Sequence, residues 1–147
     1  GCFELLKEYN IDIEGKEVVV IGKSNIVGLP MALIMMKEMA TVTVCHIKTK
    51  KIEEHTKRAD ILIVGVGKAH LVKKDWVKEG AVVIDIGINV LKDETRKRGY
   101  RLTGDVDYEN VKNIASYITP VPGGVGPMTV CMLIKNTLKS YKNLNGY

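Results

Sequence analysis

Four short runs of strand-forming residues, rich in valine and isoleucine, recur at intervals along the chain. They cover residues 17–22, 41–46, 60–65 and 81–86. The first is a short continuous apolar run, which is typical of a strand that is buried on both faces of a parallel sheet. Because helical patterns lie between the runs, the sequence predicts repeated β-α-β units.

The segments between and after these runs complete the predicted fold. Right-handed crossovers between parallel strands give an α/β fold of the Rossmann type, a doubly wound parallel sheet with helices on both faces. Residues 92–104 are charged and predicted to be loop-like. Helices are predicted at residues 2–9, 30–39, 50–58 and about 128–141, a helical turn near Trp76, a short helix capped by Asp107 and running to about residue 113, and a fifth strand at residues 117–119.

Small or polar residues follow the predicted strands at their carboxyl ends. Doubly wound sheets bind their ligands at that edge, so this placement is the first functional signal in the sequence. The residues concerned are Gly22, His46, Gly65, Gly67 and Gly87.

The composition narrows the classes of partner. The 147 residues fit one domain, residues 1–147, and contain no apolar run long enough to span a bilayer. The net charge of +5 is scattered, with one phenylalanine and one tryptophan, so we predict neither a nucleic-acid nor a membrane partner. The three cysteines are far apart, which predicts free thiols in a reducing, cytoplasmic compartment and no metal site.

The loop of residues 22–28 joins the first strand to a helix. In dinucleotide-binding folds, the N–H groups at such a helix start hold a pyrophosphate. Gly22 and Gly28 bound the loop, and Ser24 stands where a GxGxxG motif has its second glycine. The spacing therefore fits neither that motif nor a GxxxxGK[ST] P-loop. On the residues alone, nucleotide binding and a plain strand–helix turn are both open.

The end of the second strand bears on the choice between NADP and NAD. NAD-specific sites carry an aspartate or glutamate there for the ribose hydroxyl, but residues 45–51 contain no acid. Lys23, Lys48 and His46 could instead contact a 2′-phosphate. This pattern favours NADP, with NAD possible. The alternative is that the lysines are only solvated.

Residues 117–130, with the sequence YITPVPGGVGPMTV, combine three prolines and three glycines just before the last predicted helix. Proline fixes the backbone and glycine leaves it bare, so the segment predicts a rigid, irregular loop. A bare backbone wall would let two flat rings approach to roughly 3–3.5 Å, the separation that hydride transfer needs. The alternative is a rigid turn that binds no ligand.

Six segments, taken together and in order, closely resemble the NAD(P)-binding domain of the methylenetetrahydrofolate dehydrogenase/methenyltetrahydrofolate cyclohydrolase family. The resemblance extends from Gly1 to about Tyr141, with residues 1–14 as part of a linking helix. The last segment is the most specific to the family. The segments are VVVIGKSNIVGLPMALIM, TVTVCHIKT, ADILIVGVGK, GAVVIDIGIN, GDVDYENV and ITPVPGGVGPMTV.

The resemblance implies that loops at several strand ends contact the cofactor and that the proline-glycine loop forms the folate edge of the cleft. The candidate cofactor-binding residues are Gly22, Lys23, Ser24, Val27, Gly28, His46, Ile47, Lys48, Gly65, Val66, Gly67, Gly87, Ile88 and Thr129. The candidate substrate-binding residues are Pro122, Gly123 and Gly124.

The resemblance also implies a bifunctional reaction on one-carbon derivatives of tetrahydrofolate. NADP-dependent oxidation converts 5,10-methylenetetrahydrofolate to 5,10-methenyltetrahydrofolate, and hydrolysis then gives 10-formyltetrahydrofolate. The family's catalytic lysine lies on a preceding domain, and none of that domain's motifs occurs in these 147 residues. We therefore expect a cofactor-binding half without catalytic residues, with little activity alone, which acts with an amino-terminal domain and forms a homodimer.

Two departures from the family pattern leave alternatives open. Ile47 stands where NADP-using relatives carry a small hydroxyl residue, and Lys23 replaces an arginine, so NAD is not excluded. One alternative function is a non-catalytic NAD(P)-binding module that acts with a separate partner chain. Another is a different dehydrogenase with the same fold, which the PGGVGPMT segment disfavours.

Overall fold

The computed structural model describes residues 1–146, and Tyr147, the last residue of the predicted domain, lies outside the described residues. The helices are α1 (Cys2–Glu8), α2 (Gly28–Lys37), α3 (Ile52–Thr56), α4 (Tyr108–Val111) and α5 (Val125–Leu144), with a 3-10 turn at Lys74–Trp76. The strands are β1 (Glu17–Ile21), β2 (Thr41–Cys45), β3 (Ile61–Val64), β4 (Val82–Asp85), β5 (Asn89–Lys92), β6 (Tyr100–Thr103) and β7 (Tyr117–Ile118).

The central sheet has the strand order β2-β1-β3-β4-β7, and all of its neighbouring strands are parallel. This confirms the predicted α/β class. The chain passes from β1 to β2 on one side and then returns to β3 on the other side of β1. The crevice outside the carboxyl ends of β1 and β3 is therefore the topological switch point, where folds of this class bind their ligands.

The sheet is buried on both faces because its strands alternate between two apolar clusters. Val18 and Val20 of β1 belong to the cluster beneath α1 and α2, while Val19 and Ile21 belong to the cluster on the opposite face. Met35 of α2 is fully buried in the first cluster. Apolar side chains on both faces explain why the strands read as continuous apolar runs in the sequence.

The ribbon formed by β5 and β6 corrects one expectation. Residues 92–104, predicted to be loop-like, contain β6, which pairs antiparallel with β5. Val90 lies opposite Leu102 in this ribbon. Both strands lie outside the main sheet and are partly exposed, so charged residues interrupt the apolar pattern on which the prediction relied.

Two helices begin earlier than predicted. Helix α2 starts at Gly28 and α5 at Val125, so Pro30 and Pro127 each occupy the third helical position. A proline is tolerated in the first turn because its missing N–H would have no partner within the helix. Asp107 is the cap residue of α4, as predicted, but its carboxylate accepts a hydrogen bond from the Asn110 side chain and none from the helix backbone.

The 20-residue helix α5 packs beside α1 and keeps much of its apolar surface exposed. The Nζ atom of Lys135 lies 2.6 Å from the Oε1 atom of Glu4 on α1. Leu133, Ile134 and Leu138 are each more than half exposed. Within residues 1–146, no helix is both long enough and apolar enough to cross a bilayer.

The burial of the sheet generates a first prediction, on a matched pair of leucines. Leu62 on β3 is fully buried, whereas Leu144 on α5 is 83% exposed. Leu62→Ala should lower the free energy of unfolding by about 2–5 kcal/mol, because it leaves a cavity in the apolar cluster on one face of the sheet. Leu144→Ala should change it by no more than about 0.5 kcal/mol. Urea unfolding measures both, and equal losses would contradict the central position of β3.

Candidate functional site

The loop between β1 and α2 is held by two close approaches of backbone to backbone. A β-carbon on Gly28 would overlap the carbonyl oxygen of Gly22, and a β-carbon on Gly22 would overlap the carbonyl oxygen of Gly65. Gly22 also has a φ of 115°, in the region that favours glycine. The loop therefore lies flat against the end of β3, and only glycine fits at both of its ends.

Ser24 satisfies the start of helix α2. Its Oγ atom accepts hydrogen bonds from the N–H groups of Val27 (3.2 Å) and Gly28 (3.3 Å). The backbone N–H groups of residues 23–26 donate no hydrogen bond within residues 1–146. The sequence predicted free N–H donors at the start of the helix. In the structure the free donors lie in the loop before the helix, where they can bind an anion.

The turn after β2 is fixed by local hydrogen bonds. The Oγ1 atom of Thr49 accepts a hydrogen bond from the backbone N–H of His46 at 2.9 Å. The Nδ1 atom of His46 accepts one from the N–H of Lys48 at 3.1 Å, which places the proton of the neutral ring on Nε2. Thr49 was not among the predicted site residues, although it shapes the turn that carries three of them.

A cleft of about 520 Å³ lies at the carboxyl ends of β1, β2 and β3. Its lining includes two lysines and a histidine but no aspartate or glutamate. Lys68 and Trp76 line it without having been predicted, while the predicted Lys48 is exposed and is not among the lining residues. The lining residues are Ile21, Gly22, Lys23, Ser24, His46, Ile47, Thr49, Ile52, Gly65, Val66, Lys68, Leu71 and Trp76.

A second cavity of about 310 Å³ lies at the carboxyl end of β4, against the start of α5. It brings together the predicted residues of the proline-glycine loop and those that follow β4. Its backbone is tightly built, because a β-carbon on Gly124 would overlap the carbonyl oxygen of Pro120. The predicted residues that line it are Gly87, Ile88, Pro122, Gly123, Gly124 and Thr129, and Leu102 of β6 joins them.

Four predicted residues line neither cavity: Val27, Gly28, Lys48 and Gly67. Val27 stands next to Gly65, since its Cγ1 atom would be 3.6 Å from a β-carbon there. Gly67 has a φ of 68° and carries the chain away from β3. Cys45, at the end of β2, is fully buried, and burial raises the pKa of its thiol, so it is not poised as a nucleophile.

Two buried aspartates join the loops of the two cavities. Asp85, at the end of β4, accepts backbone N–H groups from Gly87 (2.9 Å), Asp105 (3.1 Å) and Val106 (2.8 Å). Asp85 thus binds backbone at the strand end. Burial raises the pKa of its carboxyl, against the lowering effect of these three donors.

Asp105 is fully buried and accepts hydrogen bonds from two other segments of the chain. Its Oδ2 atom accepts the N–H groups of Val66 (2.7 Å) and Gly67 (2.9 Å), which lie 39 and 38 residues away in the sequence. Its Oδ1 atom accepts the side-chain amide of Asn89 at 2.8 Å. No local pattern could have revealed these partners, because all three lie on other elements.

Comparison with known proteins places this geometry in a family. The model of the family described as tetrahydrofolate dehydrogenase/cyclohydrolase, NAD(P)-binding domain, matches residues 1–145. The chain belongs to this family.

Relatives from distant organisms support the assignment. Bifunctional protein FolD 4, chloroplastic, of Arabidopsis thaliana is 55% identical over 147 residues, which are 100% of this chain and 41% of that protein. C-1-tetrahydrofolate synthase, cytoplasmic, of Schizosaccharomyces pombe is 55% identical over 140 residues, 95% of this chain and 15% of that protein. The chain thus spans half or less of the length of these relatives.

A solved structure of the family has the same fold. The Trypanosoma brucei methylenetetrahydrofolate dehydrogenase-cyclohydrolase, in complex with an NADP cofactor and an inhibitor, superposes with a TM-score of 0.93 at 44% identity. The match covers 99% of this chain and 50% of that one.

The residues at the switch point fit a dinucleotide. Gly22 and Gly28 keep side chains away from the loop, and the N–H groups of residues 23–26 are free to donate. The cleft beside them and the second cavity open on the same edge of the sheet, as an extended ligand requires.

The contacts of Gly28 generate a second prediction. Gly28→Ala should lower the free energy of unfolding by about 1–3 kcal/mol, because the new methyl group forces the loop away from β1. Gly126→Ala is the matched control, since nothing lies within 4 Å of its β-carbon position, and it should be neutral or stabilising by up to about 1 kcal/mol. Thermal unfolding of both variants checks this, and a neutral Gly28→Ala would refute the packing described for the loop.

Proposed function

We propose that this chain is the NADP-binding half of a bifunctional enzyme, with residues 1–147 as its cofactor domain and residues 1–14 in a linking helix. The enzyme oxidises 5,10-methylenetetrahydrofolate to 5,10-methenyltetrahydrofolate and hydrolyses that product to 10-formyltetrahydrofolate. The observation that carries the proposal is the glycine-bounded loop at the switch point, in a chain whose family is defined by this cofactor domain. The NADP complex of the Trypanosoma brucei relative supports it.

The chain's own residues bind and orient the cofactor. The N–H groups of residues 23–26 donate to the pyrophosphate, and Gly22 and Gly28 admit it close to the backbone. Ile88 and Thr129, in the second cavity, contact the nicotinamide end. The bound cofactor supplies the hydride acceptor, while the protein supplies position and field.

The charges in the large cleft favour NADP over NAD. Lys23 and Lys68 both line it, and no acidic side chain does. A carboxylate for a free ribose hydroxyl is therefore lacking among the lining residues, while two ammonium groups are available for a 2′-phosphate. Ile47 is 96% exposed at the rim, and its side chain cannot donate a hydrogen bond, so in this proposal Lys23 and Lys68 provide the specificity.

The proline-glycine loop forms the folate edge. Pro122, Gly123 and Gly124 line the second cavity, where the absence of long side chains leaves room for a flat pterin ring beside the nicotinamide. One-carbon derivatives of tetrahydrofolate are the ligands proposed for this edge.

The catalytic groups come from another domain. The only ionisable side chain that lines the second cavity, among residues 1–146, is Asp85, and three backbone donors occupy its carboxylate. A proton-transfer group must therefore be supplied from outside these residues. The exposed apolar face of α5, including Leu133, Ile134 and Leu138, offers the surface on which an amino-terminal domain packs.

The exposed apolar side chains and the cysteines bear on the assembly and the compartment of the protein. A homodimer is proposed, with the exposed apolar side chains of α2, Leu29, Leu33 and Met36, as a surface for the second copy. A cytoplasmic location is proposed because Cys2, Cys45 and Cys131 are free thiols. Sedimentation of the chain measures the first of these points directly.

A third prediction concerns the cofactor. NADP at 100 times its Kd should raise the free energy of unfolding by about 2.7 kcal/mol, and NAD should have a smaller effect. Binding should also change the fluorescence of Trp76, the single tryptophan, which lines the cleft. Lys23→Gln and Lys68→Gln should each lower the affinity of the chain for NADP and bring it closer to the affinity for NAD.

The matched control for these variants is Lys37→Gln, at the far end of α2, which should bind NADP as the parent chain does. Equal stabilisation by NADP and NAD in the parent chain would contradict the proposed role of the two lysines. Absence of any shift with either nucleotide would contradict cofactor binding by this chain.

A fourth prediction concerns the location of the catalytic groups. The 147-residue chain should show little or no cyclohydrolase activity, measured by the loss of 5,10-methenyltetrahydrofolate absorbance. Ordinary turnover by the pure chain would overturn the claim that the catalytic groups lie elsewhere. A family member with its amino-terminal domain is the positive control for the assay.

A further inference from the structure

The loops that line the two cavities are tied together beneath the surface. The segment after β3, which includes Val66 and Gly67, and the segment after β4, which includes Gly87, belong to different strands. Both depend on a buried carboxylate, Asp105 for the first and Asp85 for the second. The two aspartates are joined in turn, because Asp85 accepts the backbone N–H of Asp105 at 3.1 Å.

The packing around the two carboxylates leaves no space for another arrangement. A β-carbon on Gly87 would overlap the Asp105 carboxylate, and a β-carbon on Gly104 would overlap that of Asp85. Asp105 is 0% exposed and Asp85 is 3% exposed. Buried carboxylates are retained only where hydrogen bonds compensate their desolvation, and backbone N–H groups supply most of that compensation here.

The hydrogen bonds to Asp105 determine how the segment of residues 65–67 is oriented beside the large cleft. Asp105 draws the N–H groups of Val66 and Gly67 into the interior, although both residues are themselves exposed. The peptide planes of the segment are thereby fixed, and the Val66 side chain is held at the wall of the large cleft. Without this acceptor, two N–H groups next to the cleft would have to find other partners.

We propose that Asp105 is a positioning residue for the cofactor, which presets residues 65–67 for the nucleotide by accepting the N–H groups of Val66 and Gly67. The inference rests on the proposed function, because it assumes that the large cleft binds the adenosine part of NADP. Asp105 does not touch the ligand; it acts through the backbone of the residues that do.

Substitution of Asp105 should lower the affinity of the folded chain for the nucleotide, beyond any change in the stability of the fold. Asp105→Ala should lower the affinity for adenosine 2′,5′-bisphosphate and for NADP by roughly tenfold to a hundredfold, because a displaced binding segment loses its preset geometry. Asp105→Asn should lower both affinities less than Asp105→Ala does. Its amide oxygen can still accept both N–H groups if Asn89 turns its own amide to offer the oxygen.

Asp60 provides the matched control. Its carboxylate accepts the N–H of Glu17 at 3.0 Å and pairs with Lys78 at 2.6 Å, just before β3 and therefore at the opposite edge of the sheet. Asp60→Ala removes a comparable backbone acceptor without touching the cleft. It should lose stability yet keep its affinity for both nucleotides.

The experiment titrates the 147-residue chain and its three variants with each nucleotide and follows Trp76 fluorescence, at a temperature where circular dichroism shows that all are folded. The proposal is supported if Asp105→Ala loses the most nucleotide affinity, Asp105→Asn loses less, and Asp60→Ala keeps the affinity of the parent chain. Parent-like affinity of Asp105→Ala, or equal weakening by Asp60→Ala, overturns it. If Asp105→Ala does not fold, Asp105→Asn against Asp60→Ala makes the same comparison.

Amide hydrogen exchange keeps the inference separate from the proposed function. The N–H groups of Val66 and Gly67 should exchange slowly in the parent chain and fast in Asp105→Asn or Asp105→Ala. If the parent chain binds neither nucleotide, the proposed function fails, and exchange alone decides whether Asp105 fixes the segment. Fast exchange of both amides in the parent chain overturns the positioning role.

Discussion

The close approach of three backbone segments at the switch point is the constraint on which the rest of the site depends. Gly22 presses on the carbonyl of Gly65, and Gly28 presses on the carbonyl of Gly22. This contact brings the start of α2 to the ends of β1 and β3, and the N–H groups of residues 23–26 meet no acceptor among the described residues 1–146. An anion-binding loop is thus a consequence of how tightly the first crossover is packed.

A second constraint operates inside the same edge of the sheet. Asp85 and Asp105 collect backbone N–H groups from three loops and set the distance between the cleft after β3 and the cavity after β4. Their burial is costly, so the arrangement is maintained only while every donor is in place. The two cavities are therefore parts of one preorganised edge.

The sequence predicted β1, β3 and β4 well because each is buried on both faces and forms an almost uninterrupted apolar run. The edge strand β2 was also predicted, although most of its residues are only partly buried or exposed. The β5–β6 ribbon was missed for the opposite reason, since its strands are partly exposed and carry charges such as Lys92 and Arg101. The glycine-bounded loop could be found from its position between strand and helix. Lys68 could also have been found, because it directly follows the predicted Gly67. Trp76 and the pairing of Asp105 with Val66 and Gly67 could not, because folding brings together distant parts of the chain.

The most direct test of the account is a ¹H–¹⁵N NMR titration of the 147-residue chain with NADP, read amide by amide. We expect the largest changes in chemical shift at residues 22–26, at residues 46–49 and at residues 65–67, with smaller changes around Gly87 and Gly124. Helices α4 and the carboxyl-terminal half of α5 should stay unchanged. Changes confined to other surfaces, or none in the loop of residues 22–28, would contradict the claim that this loop is the cofactor site.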